Sequence, residues 1–312
     1  MQENKLTQKT LSGFVEKFNQ NVNSSSDKRK KNKTTKAIFE VPHPFLKWAG
    51  GKRQLIPQMD RYFPKSFNKY IEPFVGGGAI FFHLCPKNAI LIDSNKDLIS
   101  CYEVIKKSVF ELIESLQKHK NESEYYYRIR NVDRNLEEFE KWSDVEKASR
   151  IIYMNRCCYN GLYRVNSKGQ FNVPFGKYNN PKFCDKENLL AVHEALKNIE
   201  LVHSSFEICS NYAEKNDFVY FDPPYHPLTR TANFTSYTAE TFGKESQKKL
   251  FEIFKKLDER GCKLLLSNSY NNFIINLYKD YKKIILNANR AINCDGNKRG
   301  SIKEVLILND FN

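Results

Sequence analysis

One stretch in the C-terminal half limits the fold more than any other. Residues 218–221 are Phe, Val, Tyr and Phe, and such a short apolar run predicts a strand buried in a parallel sheet. Asp222, Pro223 and Pro224 follow. Neither proline carries an amide hydrogen, and Pro224 restricts Pro223 to an extended conformation. The strand therefore ends at Asp222, whose carboxylate lies at the carboxyl end of the sheet, where open α/β folds bind their ligands.

The loop continues to Tyr225, and its four residues suit chemistry on an aromatic amine. The exocyclic nitrogen of adenine or cytosine is a weak nucleophile because its lone pair is delocalised into the ring. A carboxylate and a carbonyl that accept its two hydrogens would draw the nitrogen toward tetrahedral geometry, while Tyr225 stacks on the base with about 1–3 kcal/mol. Asp and Pro are also ordinary turn residues. From the loop alone, a plain turn is an equal alternative.

A glycine turn earlier in the chain predicts the binding of a nucleoside. Residues 70–75 predict a strand, Gly76–Gly78 a turn and residues 79–84 a helix, which together form the first βα unit of a nucleotide-binding sheet. The next apolar run ends at Asp93, where an acidic side chain typically binds ribose hydroxyls. The contiguous glycines lack the dinucleotide spacing. A nucleoside cofactor such as S-adenosylmethionine is therefore expected.

The remaining pattern divides the chain into a sheet domain and an insertion. Helices are predicted over about 97–107 and 109–119, and residues 108–198 as a whole lose the alternation of strand and helix. The predicted fold is α/β, a Rossmann-like sheet with helices on both faces and a mostly helical insertion. The catalytic domain comprises 44–107 and 199–312, and the insertion comprises 108–198.

The insertion carries a second polar motif. Residues 159–166 (Tyr-Asn-Gly-Leu-Tyr-Arg-Val-Asn) combine aromatic, amide and guanidinium groups around a glycine. Arg binds guanine and Asn binds adenine through paired hydrogen bonds in the major groove, each giving about 1–3 kcal/mol of discrimination. A helix C-cap at Asn160 and Gly161 with buried tyrosines is the structural alternative. A similar aromatic and amide-rich loop, 232–237, follows the Asp222 strand.

The first globular segment contributes a charge and a flat surface. Gly50 and Gly51 allow backbone amides to approach an anion or carboxylate, Lys52 supplies a positive charge, and Trp48 offers a face for a ring. The same glycine and lysine pattern also occurs in plain surface turns.

The charge and the cysteine content indicate the class of partner and the cellular compartment. Fifty Lys and Arg against 36 Asp and Glu give +14, and 13% of residues are aromatic, which favours a nucleic-acid partner. Residues 1–43 hold nine Lys and Arg against four Asp and Glu, and a basic, disordered extension is predicted there. No membrane span or signal peptide is evident. The eight cysteines lack zinc-site spacing, so we expect reduced thiols, no metal and a cytoplasmic location.

Six segments together resemble the Dam-type DNA adenine methyltransferases of the alpha class. In chain order they are Phe45–Arg53, Glu72–Gly78, Asn155–Arg164, Phe171–Tyr178, Asp222–Tyr225 and Ala232–Tyr237. The likeness covers about residues 44–310 and keeps the family's order, with cofactor motifs first, then target recognition, then the catalytic tetrad.

The resemblance implies S-adenosylmethionine as methyl donor, no metal and no obligate protein partner. The implied acceptor is adenine N6 in duplex DNA, within GATC, after the base has flipped out of the stack. The implied catalytic residues are Asp222, Pro223, Pro224 and Tyr225. The implied cofactor contacts are Trp48, Lys52, Gly76, Gly77, Gly78, Asp93 and Asp222. The implied DNA contacts are Lys47, Tyr159, Asn160, Arg164, Asn233 and Phe234, with Arg164 binding guanine.

Three alternatives stay open at this point. A cytosine amine is a possible acceptor, although such enzymes more often carry Ser in place of Asp222. A protein-glutamine methyltransferase would usually have Asn there and lack the insertion. A catalytically inactive relative would bind DNA sites without transferring a methyl group, and the complete tetrad and the glycine turn argue against it.

Overall fold

The computed structural model describes residues 41–225, 242–289 and 301–311, and within these ranges seven strands form a sheet. The strands are β1 Tyr70–Glu72, β2 Ala89–Asp93, β3 Ile199–His203, β4 Phe218–Phe221, β5 Lys263–Ser269, β6 Lys282–Asn289 and β7 Ser301–Leu308. Their order is β3-β2-β1-β4-β5-β7-β6. Strands β1 to β5 are parallel, and β7 runs antiparallel to both β5 and β6.

Helices cover both faces of the sheet. Those described are α1 Ile56–Met59, α2 Ala79–Leu84, α3 Lys96–Gln117, α4 Ser123–Asn131, α5 Leu136–Glu140, α6 Asp144–Cys157, α7 Lys186–Leu196, α8 Cys209–Tyr212, α9 Lys244–Glu259 and α10 Asn272–Leu277. Successive side chains of a strand point to opposite faces. Accordingly, Phe218 and Tyr220 join the hydrophobic cluster with α3, α6 and α7, whereas Val219 and Phe221 join the cluster with α9 and α10. The predicted fold class is confirmed.

The ends of the central strands lie where the chain changes direction across the sheet. From β1 the chain passes to β2 and β3 on one side and then returns to β4 on the other side of β1. Strand β4 ends at Phe221, as predicted. Strand β1 ends at Glu72, three residues before the predicted end, because Pro73 has no amide hydrogen to continue the ladder. The carboxyl ends of β1 and β4 therefore flank the position where such folds bind ligands.

The insertion is mainly helical, as predicted, and it shares its core with the sheet. Ser108 has non-helical angles (φ −140°, ψ 44°), so α3 is interrupted where two helices were expected. Helix α6 begins in a capping box of Ser143 and Glu146 and ends at Cys157. After α6, two isolated antiparallel bridges join Val165 to Phe171 and Cys158 to Phe175. The domain boundaries stay a prediction, since residues on both sides of them join one hydrophobic cluster.

Several expectations fall on parts of the chain outside the described residues. These are most of the 1–43 extension and the 232–237 loop with Asn233 and Phe234. The seven cysteines that are described are free thiols. Within the described ranges, none of the helices combines the length and apolarity that crossing a membrane requires.

Candidate functional site

Asp222 and Lys52 meet at the carboxyl end of β4. The ammonium of Lys52 lies 2.7 Å from Asp222 Oδ1 and donates a hydrogen bond to the Gly50 carbonyl, also at 2.7 Å. The Lys52 side chain is 3% exposed and that of Asp222 is 18% exposed. A buried ammonium needs a charge partner and hydrogen-bond acceptors, and this pair joins the first globular segment to the β4 loop. Two residues that the sequence placed in one site are therefore in direct contact.

A third charged residue, Glu304 on β7, completes this group and was not predicted. Its Oε2 atom accepts a hydrogen bond from the Tyr225 hydroxyl at 2.5 Å and lies 4.0 Å from the Lys52 ammonium. The same ammonium lies 4.8 Å from the centroid of the Tyr225 ring. The available sequence signal was one acidic residue near the start of an apolar strand, which by itself is compatible with an exposed edge.

Asp222 and Glu72 are harder to ionise than carboxylates in water. Burial raises the pKa of Asp222 to about 6; Lys52 acts in the opposite direction and Glu304 adds to the rise. Burial also raises the pKa of Glu72 well above its usual range, although the Tyr70 hydroxyl donates to its Oε2 at 2.9 Å. We call Glu72, Asp222 and Glu304 the carboxylate cluster. At neutral pH, Asp222 is an ionised hydrogen-bond acceptor close to its protonation midpoint.

The back of the β4 loop is held by a buried relay of amides. The Pro224 carbonyl accepts a hydrogen bond from Gln247 Nε2 at 3.2 Å, and Gln247 Oε1 accepts one from Asn268 Nδ2 at 3.0 Å. Gln247 lies on α9 and Asn268 on β5, and both are fully buried. Because buried amides are costly without partners, this relay fixes the loop against the sheet.

The predicted glycine turn is closed by Asp93. One carboxylate oxygen accepts the Gly76 amide hydrogen at 3.0 Å and the other accepts the Asn95 amide hydrogen at 2.9 Å. Gly76 has φ of +48°, and a Cβ atom there would come within 2.9 Å of the Trp48 ring. A side chain would therefore be strained and crowded at this position. Ser94 adds a backbone hydrogen bond to this carboxylate, whose lone-pair sites can accept about four donors in all.

The donor set fits a positively charged nucleoside better than an anionic one. Asp93, Asp222 and Glu304 supply three carboxyl groups at this edge of the sheet, against the ammonium of Lys52; Glu72 is not counted, because burial disfavours its charged form. Trp48 lies against the glycine turn and packs on Tyr163, with ring centroids 5.3 Å apart. Within the described residues, no group of three or more His, Cys, Asp or Glu side chains is arranged to hold a metal ion.

The turn formed by residues 159–164, which we call the 159–164 turn, lies directly after α6. Asn155, which is fully buried, joins this turn to Lys47: its Oδ1 accepts the Lys47 amide hydrogen at 2.8 Å, and its Nδ2 donates to the carbonyls of Lys47 and Gly161 at 2.9 and 3.1 Å. Gly161 has φ of +63°, and any Cβ there would overlap the Lys47 side chain. The predicted DNA contacts Lys47, Tyr159 and Asn160 are thereby brought together.

The two sequence interpretations of this turn each describe part of it. Tyr163 is a core residue, as the structural alternative expected, and its hydroxyl donates to Asp97 Oδ2 at 2.6 Å. Tyr159 instead is 51% exposed. Asn160 has φ of +56°, which turns the chain after the helix. The backbone is therefore fixed from inside, while an aromatic ring faces solvent.

Arg164 is exposed and oriented by Asn172. Its Nε donates to Asn172 Oδ1 at 2.7 Å, and its Nη2 donates to the Asn172 carbonyl at 3.2 Å. The strand-like segment that carries Asn172 is held by Asp133, whose Oδ2 accepts the Phe171 amide hydrogen at 3.0 Å. Asp133 in turn pairs with the buried Arg150 at 2.7 Å. The sequence assigned no role to Asn172, although it lies in the quoted segment Phe171–Tyr178. Asp133 and Arg150 were not identified, because they act on residues distant along the chain.

Known proteins resemble this chain over most of its length. Residues 48–292 match the family described as D12 class N6 adenine-specific DNA methyltransferase. The Type II methyltransferase M.MjaIII of Methanocaldococcus jannaschii is 45% identical over 289 residues, covering 85% of this chain and 98% of that protein. The Type II methyltransferase M1.LlaDCHI of Lactococcus lactis subsp. cremoris is 46% identical over 270 residues, with 85% and 95% covered. The DNA adenine methylase of Escherichia coli K12 is 38% identical over 275 residues, with 85% and 94% covered.

Proposed function

The chain belongs to the D12 class N6 adenine-specific DNA methyltransferases, and from this premise we propose that it methylates adenine N6 within GATC of duplex DNA, with S-adenosylmethionine as donor. The observation that carries the proposal is a buried carboxylate on a stiff loop: Asp222 ends β4, two prolines follow it, and Tyr225 lies on the same loop. The GATC site rests on the likeness of the six sequence segments to Dam-type enzymes, and relatives named DNA adenine methylase support it.

Asp222 and the Pro223 carbonyl accept the two hydrogens of the target amine. Because Asp222 is ionised at neutral pH, it draws the amine toward tetrahedral geometry and favours the localised lone pair that attacks the methyl carbon. After transfer the nitrogen loses a proton, which Asp222 or water accepts. The carboxylate's pKa of about 6 suits both roles.

Tyr225 stacks on the flipped base. Unpairing and unstacking an adenine costs a few kcal/mol, and stacking together with the hydrogen bonds in the pocket offsets this cost. Pro223 and Pro224 keep the loop stiff, so that little further ordering is needed when the base enters.

The glycine turn and its neighbours hold the methyl donor. When bound, S-adenosylmethionine supplies an electrophilic methyl carbon on a sulfonium centre. Asp93 offers its remaining lone pairs to hydroxyl donors of the ribose, Trp48 offers a ring face, and Gly76–Gly78 allow close approach of the backbone. Lys52 and Asp222 line the same space, and the excess of carboxylates favours a cationic ligand.

The DNA contacts lie on the 159–164 turn and beside it. Arg164 binds guanine, Tyr159 and Asn160 approach the bases around the target, and Lys47 contacts DNA next to them. Asn233 and Phe234, which are outside the described residues, are assigned to DNA on their place in the sixth matching segment alone.

Incubation with labelled S-adenosylmethionine and unmethylated duplexes tests the reaction, the base and the site together. The duplexes differ only in carrying GATC or a scrambled site, and the products are digested to nucleosides. Label in 6-methyladenine from the GATC duplex alone is the expected result. Label from both duplexes would remove the GATC assignment, and label in methylcytosine or in neither duplex would overturn the proposed acceptor.

A further inference from the structure

We propose that Glu304 is a positioning residue for methyl transfer: it fixes the Tyr225 ring through the tyrosine hydroxyl and holds the Lys52 ammonium beside Asp222. The proposal rests on the proposed function, because it takes Asp222 as the acceptor of the target amine and Tyr225 as the base-stacking residue. Neither the family description nor the six matching segments include Glu304.

Glu304 is well placed to act as a rigid anchor. It lies on β7, opposite Ser269 of β5 on one side and Leu286 of β6 on the other, so its backbone is fixed within the sheet. Tyr225 lies four residues after the end of β4, where the chain has left the sheet. The 2.5 Å hydrogen bond from the Tyr225 hydroxyl to Glu304 Oε2 therefore ties the loop residue to a strand. The orientation of the ring is set by a residue that cannot easily move.

Through its contact with Lys52, Glu304 has a second role, which is to balance the charge of the buried ammonium. Lys52 pairs with Asp222 Oδ1 at 2.7 Å, and that oxygen belongs to the carboxylate that accepts the target amine under the proposed function. Any weakening of this bond leaves a buried ammonium short of negative charge, which is costly. Glu304 Oε2, 4.0 Å from the ammonium, is the other carboxylate that Lys52 reaches among the described residues. Glu304 therefore still balances the positive charge of Lys52 when Asp222 accepts the hydrogen of the target amine.

The charged groups around Asp222 determine how the rate of methyl transfer depends on pH. The groups that face Asp222 are Lys52 on the first globular segment, Glu304 on β7, and, more weakly, Glu72 and the tyrosines of β1, β4 and the loop (Tyr70, Tyr220 and Tyr225). Glu304 raises the pKa of Asp222. Methyl transfer needs the ionised carboxylate, so the rate falls as pH falls through about 6. Removing the charge of Glu304 moves this acid limb to lower pH.

Single-turnover methylation of a GATC duplex by four variants tests the proposal. The variants are Glu304→Gln, Glu304→Ala, Tyr225→Phe and the Tyr225→Phe, Glu304→Ala pair, with exposed Glu252→Gln on α9 as the charge-matched control. We expect Glu304→Ala to slow transfer about ten- to a hundredfold, as for loss of a hydrogen bond to a charged group. The loss should be smaller in the Tyr225→Phe background, since the hydroxyl is already absent. Glu304→Gln should slow transfer less and shift the acid limb to lower pH.

Two outcomes separate this inference from the proposed function. If the wild-type enzyme methylates GATC and Glu304→Gln and Glu304→Ala match it in rate and acid limb, the role of Glu304 is disproved and the function stands. If the wild-type enzyme transfers no methyl group, the proposed function is disproved. The hydrogen bond between Tyr225 and Glu304 is then tested by a measurement that does not need catalysis. Fluorine NMR of protein labelled with 3-fluorotyrosine identifies the Tyr225 resonance by its loss in Tyr225→Phe.

That resonance must shift in Glu304→Gln and stay fixed in Glu252→Gln if the hydrogen bond exists. An unchanged Tyr225 resonance in Glu304→Gln overturns the proposal whatever the activity. Should Glu304→Ala fail to fold, Glu304→Gln, which keeps the size of the side chain but replaces the charged acceptor of the Tyr225 hydroxyl with a neutral amide, still gives the acid limb and the resonance.

Discussion

At the carboxyl end of β4 the polar side chains are buried and bonded to one another, whereas on the 159–164 turn Tyr159 and Arg164 are exposed and the backbone is held from inside. Lys52 is 3% exposed and contacts Asp222 and Glu304. Tyr159 is 51% exposed, and the buried amide of Asn155 fixes the turn beside it. Under the proposed function, the first region receives a small group, the target base, and the second contacts the surface of the DNA.

This difference separates two kinds of mutational effect. In the buried region each charge alters the ionisation of its neighbours, so a substitution there changes the rate of the chemical step. On the turn, the proposed function predicts that substitution of an exposed side chain removes a contact with DNA and leaves the fold unchanged. A change in the buried region that altered only DNA selectivity, or a change on the turn that altered only the transfer rate, would break the comparison.

The largest effect is expected from Asp222→Ala. The variant lacks the carboxylate that accepts the amine hydrogen, so single-turnover methylation should fall by about 10³-fold or more. Binding of a GATC duplex, measured by fluorescence anisotropy at fixed salt, should stay close to that of the wild-type enzyme because the 159–164 turn is untouched.

The matched control for this variant is Asp280→Ala, since Asp280 is exposed and lies after α10 on another part of the chain. Its rate and DNA affinity should equal those of the wild-type enzyme. Full methylation by Asp222→Ala would remove Asp222 from the mechanism, and an equal loss of DNA affinity and rate would show that the two regions are not separable.

An intermediate effect is expected from Arg164→Ala. Loss of a guanine contact should reduce discrimination against a duplex with that base pair replaced by about 1–3 kcal/mol, roughly five- to 150-fold. The measurement is the ratio of single-turnover rates on GATC and on each singly substituted duplex. Lys168→Ala removes a positive charge from the same exposed segment and serves as control.

If Arg164→Ala weakens every duplex by the same factor, Arg164 contacts phosphate and contributes no selectivity. Lys168→Ala is expected to give that uniform pattern at most, with a smaller salt dependence of binding. The two variants together therefore distinguish a residue that contacts a base from one that adds charge.

The parts of the fold that were predicted correctly depend on short-range chemistry. The end of β4 follows from two prolines after a buried apolar run, and the break in α3 at Ser108 lies where the helical pattern was interrupted. The glycine turn with Asp93 follows from a strand, three glycines and a carboxylate at the end of the next strand. Each of these signals is contained in one or two adjacent elements.

The parts that were missed depend on the order of the strands and on packing over long separations. Glu304 reaches Tyr225 across 79 residues of sequence, because the order β5-β7-β6 brings a terminal strand beside the central ones. Asn155 reaches Lys47 across 108 residues. In the sequence, a single acid in a strand such as Glu304, or a single amide in a helix such as Asn155, is compatible with many environments. Only the packing of the complete sheet and its helices determines which groups each side chain contacts.

The smallest effect, and the sharpest test of how the turn is held, is expected from Asn172→Ala. Asn172 has no assigned contact with DNA; it accepts a hydrogen bond from Arg164 Nε at 2.7 Å and so orients the guanidinium before DNA arrives. Loss of one side-chain hydrogen bond costs about 1 kcal/mol, so discrimination at the Arg164 base pair should fall about fivefold. The rate ratios described for Arg164→Ala give the measurement, and exposed Asn180→Ala is the control.

In the Arg164→Ala background, Asn172→Ala should have no further effect on discrimination, because there is no guanidinium to orient. An additional loss in the double variant would mean that Asn172 contacts the DNA itself, and that the turn relies on more than a fixed backbone with one oriented side chain.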